Sequence, residues 1–177
     1  HGASGPNNEE AAHLVARYLG VGYLVPPTVA RYATIDTFSP RQYSVQVYVP
    51  MLHQHRAMAV KSKARRDGAL LDSIIANTDR HKGNILATSG HHIRCIDNSS
   101  AFPEQPKQVT RSQFITYDGQ PLTLRHCNAL KHMLDQFNTI NANLSELLSD
   151  AALSYMWQRV QTLLATPQYN TSLRGYK

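Results

Sequence analysis

Asn77-Thr78-Asp79-Arg80-His81-Lys82-Gly83-Asn84-Ile85-Leu86, followed by Ile96-Asp97-Asn98, decides how this chain is read. It sets an Asp, an Asn five residues on, and a second Asp thirteen beyond that, each beside an apolar stretch. Phosphoryl transfer with magnesium calls for one carboxylate beside the attacking hydroxyl. It also calls for an amide oxygen and a second carboxylate on the metal ions. Asp79, Asn84 and Asp97 supply these three groups in order. An Asp-Arg-His triplet by itself is found in ordinary solvated turns. What separates this one is the conjunction with Asn84 at its step, Ile85-Leu86 after it, and Ile96-Asp97 further on.

Working outward, Ala69 to Ala76 carries Leu70, Leu71, Ile74 and Ile75 at helical spacing and delivers the chain into the Asp79 loop. Asn84 to Thr88 and His92 to Asp97 read as two short strands joined across Ser89-Gly90. Such a hairpin brings Asn84 and Asp97 together in space. Upstream, Asn8 before Glu9 and Glu10 reads as a helix cap followed by acids at the positive end of the dipole. Ala11, Leu14, Val15, Tyr18 and Leu19 share one face, and Gly20 or Gly22 ends that helix. Tyr43 to Val49 alternates with period two and stops at Pro50, a strand. Asn128 to Phe137 and Ser149 to Ala165 are predicted helices, the second capped by Ser149.

These residues resemble the phosphatidylinositol 3/4-kinase superfamily, and within it the type II phosphatidylinositol 4-kinases and their bacterial and plant relatives. Protein kinases carry the trio in H-R-D-x-x-x-x-N and D-F-G. The superfamily's catalytic loop reads D-R-H-x-x-N, and the type II branch shows N-T-D-R there and I-D-N-G-L-A-F-P at the metal Asp. Here the second string is Ile96-Asp97-Asn98-Ser99-Ser100-Ala101-Phe102-Pro103, with Ser99 in the usual glycine's place. Glu9 to Gly20 and Val25-Pro26-Pro27-Thr28 are similar to the family's R-E-V-A-A-Y-L-x-x-x-L-G and V-P-P-T. Leu147 to Pro167 resembles its closing helix.

The resemblance implies an α+β chain of protein-kinase-like fold, mainly the helical C-lobe. Residues 1–50 would be a truncated N-lobe with the αC helix and a hinge-leading strand, and residues 51–177 the C-lobe. It implies Asp79 as base, with His81 either stabilising the transferring phosphate or only bracing the loop. Asn84 and Asp97 would hold Mg2+. Glu9, with Glu10 as runner-up, would pair with the ATP-binding Lys, and the backbone near Tyr48 and Val49 would meet the adenine. Arg80 is expected to be structural. No glycine-rich strand pair or Val-x-Lys strand stands ahead of Glu9, and Gly2-Ala3-Ser4-Gly5 is a weak substitute. The expectation is a fragment of a longer kinase, or a chain separated from its upstream lobe or partner. The alternative is a catalytically incomplete, kinase-derived binding module.

At 177 residues, with 42% apolar content, the chain has enough material for one sizeable core. It has no run long and apolar enough for a transmembrane helix. Its formal charge of +6 and pI of about 9.5 favour anionic partners, whether nucleotide such as ATP, phosphoinositide head group, acidic protein or nucleic acid, and charge alone chooses none of them. Lys61, Lys63, Arg65 and Arg66 read first as a solvated helix face, and second as a contact for an anionic membrane. Cys95 and Cys127 are expected as reduced thiols, with Cys95 in the core. That argues against the cysteine-rich secretory kinases related to four-jointed, which usually carry Glu where Asn84 stands. The expected compartment is cytoplasmic, including the host cytoplasm reached by a secreted effector. The histidine pairs His53/His55 and His91/His92 lack the convergent ligands zinc needs. Trp157 reads as core. No nucleic-acid partner is expected, because aromatic and basic residues do not interleave.

Overall fold

The computed structural model describes residues 5–34, 39–50, 62–88, 92–105 and 111–172. Helix takes 51% and strand 17%, the strands forming three separate two-stranded sheets, so the class is α+β.

Helix α1 spans Gly5–Tyr18 and starts three residues before the predicted cap. Pro6 fits there, because a first-turn residue needs no intrahelical N–H bond. Asn8 therefore lies inside the helix. Its Nδ2 reaches across the fold to donate to Ser99 O and Ala101 O, both at 2.9 Å. Ala11, Ala12, Val15 and Ala16 form the buried face, and Gly20 turns the chain with φ +69°. Strands β1 (Thr28–Ala33) and β2 (Arg41–Gln46) pair antiparallel, from Thr28 opposite Gln46 to Ala33 opposite Arg41. Glu10 Oε2 accepts from Ala30 N at 2.6 Å and ties this hairpin to α1. The alternation from Tyr43 to Val49 outruns the strand, which ends at Gln46. Pro27 stands opposite Val47 and accepts from Val47 N at 3.0 Å, but has no N–H to return the bond, so the ladder stops there. Tyr48 lies beyond it, 85% exposed, and Val49 is half-buried.

Helix α2 spans Ser62–Ile75, seven residues longer at its start than its apolar spacing predicts. Lys63 and Arg66 are exposed on that first half, a solvated face, while Lys61 lies outside the described residues. Gly68 sits where a Cβ would come within 2.4 Å of Phe114 Cζ, and Phe114 is fully buried. Gly→Ala in a helix normally gains about 1 kcal/mol. Here ring overlap outweighs it, and Gly68→Ala is expected to destabilise by about 1–3 kcal/mol in urea denaturation. A neutral or stabilising result would show that Phe114 moves aside freely.

One residue before Gly68, the buried Asp67 carboxylate accepts from Tyr23 Oη and Arg125 Nη2, and pairs with His126 Nε2 at 2.8 Å. His126 Nδ1 in turn meets Tyr169 Oη at 2.8 Å. Burial pulls the Asp67 carboxyl upward, but the bonds from His126 and Tyr23, with the Arg125 charge, hold it below its ordinary value. This knot fastens α2 to α3 (Leu124–Asp135) and to the chain after the last helix. Thr123 caps α3, which starts four residues earlier than expected. Helix α4 (Phe137–Ser145) lies outside the predicted elements, although Phe137, Ile140 and Leu144 sit at helical steps. Helix α5 (Asp150–Ala165) carries the Ser149 cap, whose hydroxyl accepts from Ala152 N at 3.3 Å. Trp157 is core: it packs on Phe137 with centroids 4.8 Å apart, and its Nε1 donates to Asn141 Oδ1 at 3.0 Å. One apolar cluster runs from Ala11 to Tyr169 and includes Cys95, a free thiol whose pKa burial pushes up to about 12. Among the described residues no helix is long and apolar enough to cross a membrane.

Candidate functional site

The chain leaves α2 through Ala76, a non-glycine residue at φ +54°, and enters Asn77-Thr78-Asp79. Strand β3 (Asp79–Arg80) pairs in parallel with β6 (Arg111–Ser112). A 3₁₀ turn, Lys82–Asn84, leads into β4 (Ile85–Thr88), which pairs antiparallel with β5 (His92–Cys95). The hairpin is the predicted one, two residues shorter at its far end, and Ser89, Gly90 and His91 lie outside the described residues. Because Ile85 stands opposite Cys95, Ile96 N reaches Asn84 O at 3.0 Å, which leaves Asp97 just past Asn84.

Three side chains lace these segments together. Asn84 is buried, and its Nδ2 donates to Asp79 O at 3.0 Å. With the amide so oriented, Oδ1 is turned away from that carbonyl as an acceptor. Asn77 Oδ1 accepts from Asp79 N at 2.9 Å, while its Nδ2 donates to Asp97 O at 3.1 Å. One asparagine thus bridges the backbones of both acids. Arg80 is fully buried. It gives Nε and Nη2 to the Asp72 carboxylate (3.0 Å at the closest), Nη1 to Ile96 O at 2.6 Å, and Nη2 to Asn98 Oδ1 at 2.5 Å. Burial pulls the Arg80 guanidinium down, but the Asp72 charge beside it outweighs that and holds its pKa above the ordinary value. Arg80 thus ties α2 to the Asp97 loop from inside the fold.

His81 Nδ1 accepts from Gly83 N at 3.0 Å and caps the 3₁₀ turn. A Cβ on residue 83 would lie 2.9 Å from His81 Cε1, so the glycine lets the ring fold over the turn. The bond to Gly83 N is compatible with either expected role, bracing the loop or meeting the transferring phosphate through the other ring nitrogen. With Nδ1 an acceptor, the neutral ring carries its proton on Nε2, where it remains a donor.

Asp97 is exposed, at φ +53°, and its Oδ1 accepts from Ser99 Oγ at 2.7 Å. The serine in the glycine position thus binds the carboxylate directly. Phe102, buried and at φ +56°, closes the loop through its N–H to Ile75 O at 2.7 Å. Ala76, Asp97 and Phe102 each hold a conformation costing roughly 1–3 kcal/mol for an L side chain. All three belong to the two loops that carry Asp79 and Asp97.

Glu9 projects from α1 into this same loop. Its Oε1 accepts from Asn98 N at 2.6 Å and its Oε2 from Asn98 Nδ2 at 3.1 Å. Burial pushes the Glu9 carboxyl above its ordinary value against those bonds, and nearby Asp97 adds to the rise. No lysine pairs with Glu9 among the described residues. Tyr48 and Val49 lie on the chain leaving β2, outside the bonds that lace the two acids together.

The donors gathered here are hard oxygens: the Asn84 amide and the Asp97 carboxylate, with Asp79 one backbone bond away. Magnesium is commonly bound through one or two carboxylates, with phosphate oxygens and water completing its shell. The set fits that ion; it lacks the nitrogen or sulfur ligands a zinc site would use. Asn77, Asn98 and Asp72 escape a reading of the sequence, because each acts through a partner remote in the chain. No family model matches the chain, and no curated protein matches it.

Proposed function

We propose that this chain is the catalytic half of an ATP-dependent phosphotransferase of the phosphatidylinositol 3/4-kinase-like type, with the protein-kinase-like fold that implies. The observation that carries the reading is the lacing of Asp79, Asn84 and Asp97 around Arg80 and Asn77. Three oxygen-bearing side chains at the required sequence steps are brought to neighbouring loops by part-buried polar bonds. Asp79 orients the acceptor hydroxyl and takes its proton, a contribution of ~10²–10⁴ in rate. Asn84 and Asp97 would hold magnesium, which would supply charge neutralisation on the transferring phosphate. The acceptor is a lipid or protein hydroxyl.

A second reading is a kinase-derived binding module. What favours it is Glu9, whose two oxygens are both taken by Asn98 rather than by a lysine.

Calorimetry separates metal-dependent nucleotide binding from none. On the proposed function, ATP affinity falls at least ~10-fold when Asp97→Ala is made, and again when EDTA replaces magnesium in the native chain. Affinity indifferent to both changes would remove the metal assignment.

A further inference from the structure

We infer that Asn98 is a positioning residue that aims the Asp97 carboxylate by coupling it to α1 through Glu9. The inference rests on the proposed function for its consequence, and on the fold alone for its geometry.

Asp97 O and Asn98 N are the two polar ends of a single peptide plane. Asn77 Nδ2 grips the first end at 3.1 Å, and Glu9 Oε1 grips the second at 2.6 Å. Pinning both ends fixes the rotation of that plane about the Asp97 and Asn98 Cα atoms, and so the direction in which the Asp97 side chain leaves the loop. The grip is needed because Asp97 sits at φ +53°, a conformation that persists only where its surroundings over-determine it.

The Asn98 side chain completes the device. It is fully buried, with Nδ2 donating to Glu9 Oε2 and Oδ1 accepting from Arg80 Nη2. One end meets a carboxylate and the other a guanidinium, so an amide is the side-chain type of this size that satisfies both. A carboxylate there would repel Glu9; an apolar isostere would leave both partners unmet. Glu9, Asn98, Arg80 and Asp72 thereby form one buried chain of polar contacts from α1 through the Asp97 loop to α2. A shift of α1 rotates the peptide that carries Asp97, while Asn84 and Asp79 stay anchored by Asn77 and the hairpin.

The test reverses the polarity of one contact. In Asn98→Asp the new oxygen faces Glu9 with like charge. In Glu9→Gln an amide N–H2 faces either the Asn98 N–H or its Nδ2. Combined, E9Q and N98D restore a donor opposite an acceptor while the Asn98 N–H keeps its oxygen. Amide hydrogen exchange without nucleotide is measured over residues 97–101, with α5 as internal reference. Each single change is expected to speed exchange over 97–101 about 10-fold without moving α5, and the pair to return it to within about threefold of native. Mg-ATP affinity, measured in parallel, should fall and recover in the same order. An N98D chain that folds only when E9Q accompanies it is the same rescue in stronger form. Effects that merely add in the double variant, or an N98D loop that exchanges like the native one, overturn the coupling. The exchange measurement decides the clamp whether or not nucleotide binds. Loss of ATP binding in the native chain, with exchange rescue intact, counts against the phosphotransferase reading alone.

Discussion

Asp79→Asn is expected to lower phosphoryl-transfer turnover by ~10²-fold or more while leaving Mg-ATP affinity nearly unchanged. The substitution keeps size and hydrogen-bonding capacity and removes the negative charge that accepts a proton. The backbone bonds of the loop do not depend on that charge: the Asp79 N–H is held by Asn77 Oδ1 and its carbonyl by Asn84 Nδ2. The Asn84 and Asp97 oxygens proposed to hold magnesium are likewise untouched. A loss of turnover at constant nucleotide affinity therefore isolates a transition-state role. If Asp79 were only a brace, thermal stability and ATP affinity would fall together. The assay follows labelled γ-phosphate from ATP to phosphatidylinositol vesicles, to a protein mixture and to the chain itself. Native-like transfer by the variant removes Asp79 as the base. Transfer to none of the three acceptors by the native chain would favour the binding module instead.

On the proposed function, the residues that would touch a ligand are legible because phosphoryl transfer constrains residue type and spacing together. Asp79, Asn84 and Asp97 can be found by counting, and the β4–β5 hairpin that joins two of them shows in the short apolar runs on either side of Ser89-Gly90. The residues that hold them are not legible. Asn77 meets Asp97 across 20 positions and Glu9 meets Asn98 across 89, and no local pattern encodes a partner at that distance. Asn8 shows how local chemistry misleads. An asparagine before two acids has the form of a helix cap, yet a tertiary demand from the Ser99 and Ala101 carbonyls claims its amide, and Pro6 starts the helix instead. The front half of α2 escapes for a related reason. Lys63, Arg65, Arg66 and Asp67 interrupt the apolar period, although Asp67 is buried and satisfied by residues from other segments. The strand after Tyr43 reads too long because alternation belongs to one strand, while a ladder also needs a donor on its partner, which Pro27 lacks.

Arg80→Met is expected to destabilise the fold by about 3–5 kcal/mol, the range for breaking a buried ion pair by removing one member. Methionine fills much of the same volume, so packing is not the main loss. The Asp72 carboxylate is stranded in the core, and the Ile96 carbonyl and Asn98 Oδ1 lose their donor. Burial already pushes the Asp72 carboxyl up against the pull of Arg80; without the guanidinium it has only that push, and it takes up a proton on folding. The folded variant then binds a proton that its unfolded chain releases at neutral pH, so its stability should rise as pH falls toward the ordinary carboxylate range. The double change Arg80→Met with Asp72→Leu removes both charges and should recover part of the loss in guanidinium denaturation, as apolar replacement of buried pairs does. It cannot restore the grip on Ile96 and Asn98. A stable double variant that still fails to bind Mg-ATP would therefore show that Arg80 holds the site in shape as well as the core. An Arg80→Met chain within about 1 kcal/mol of native would mean that Asp72 finds water or another donor, and that the guanidinium is not the hub its bonds describe.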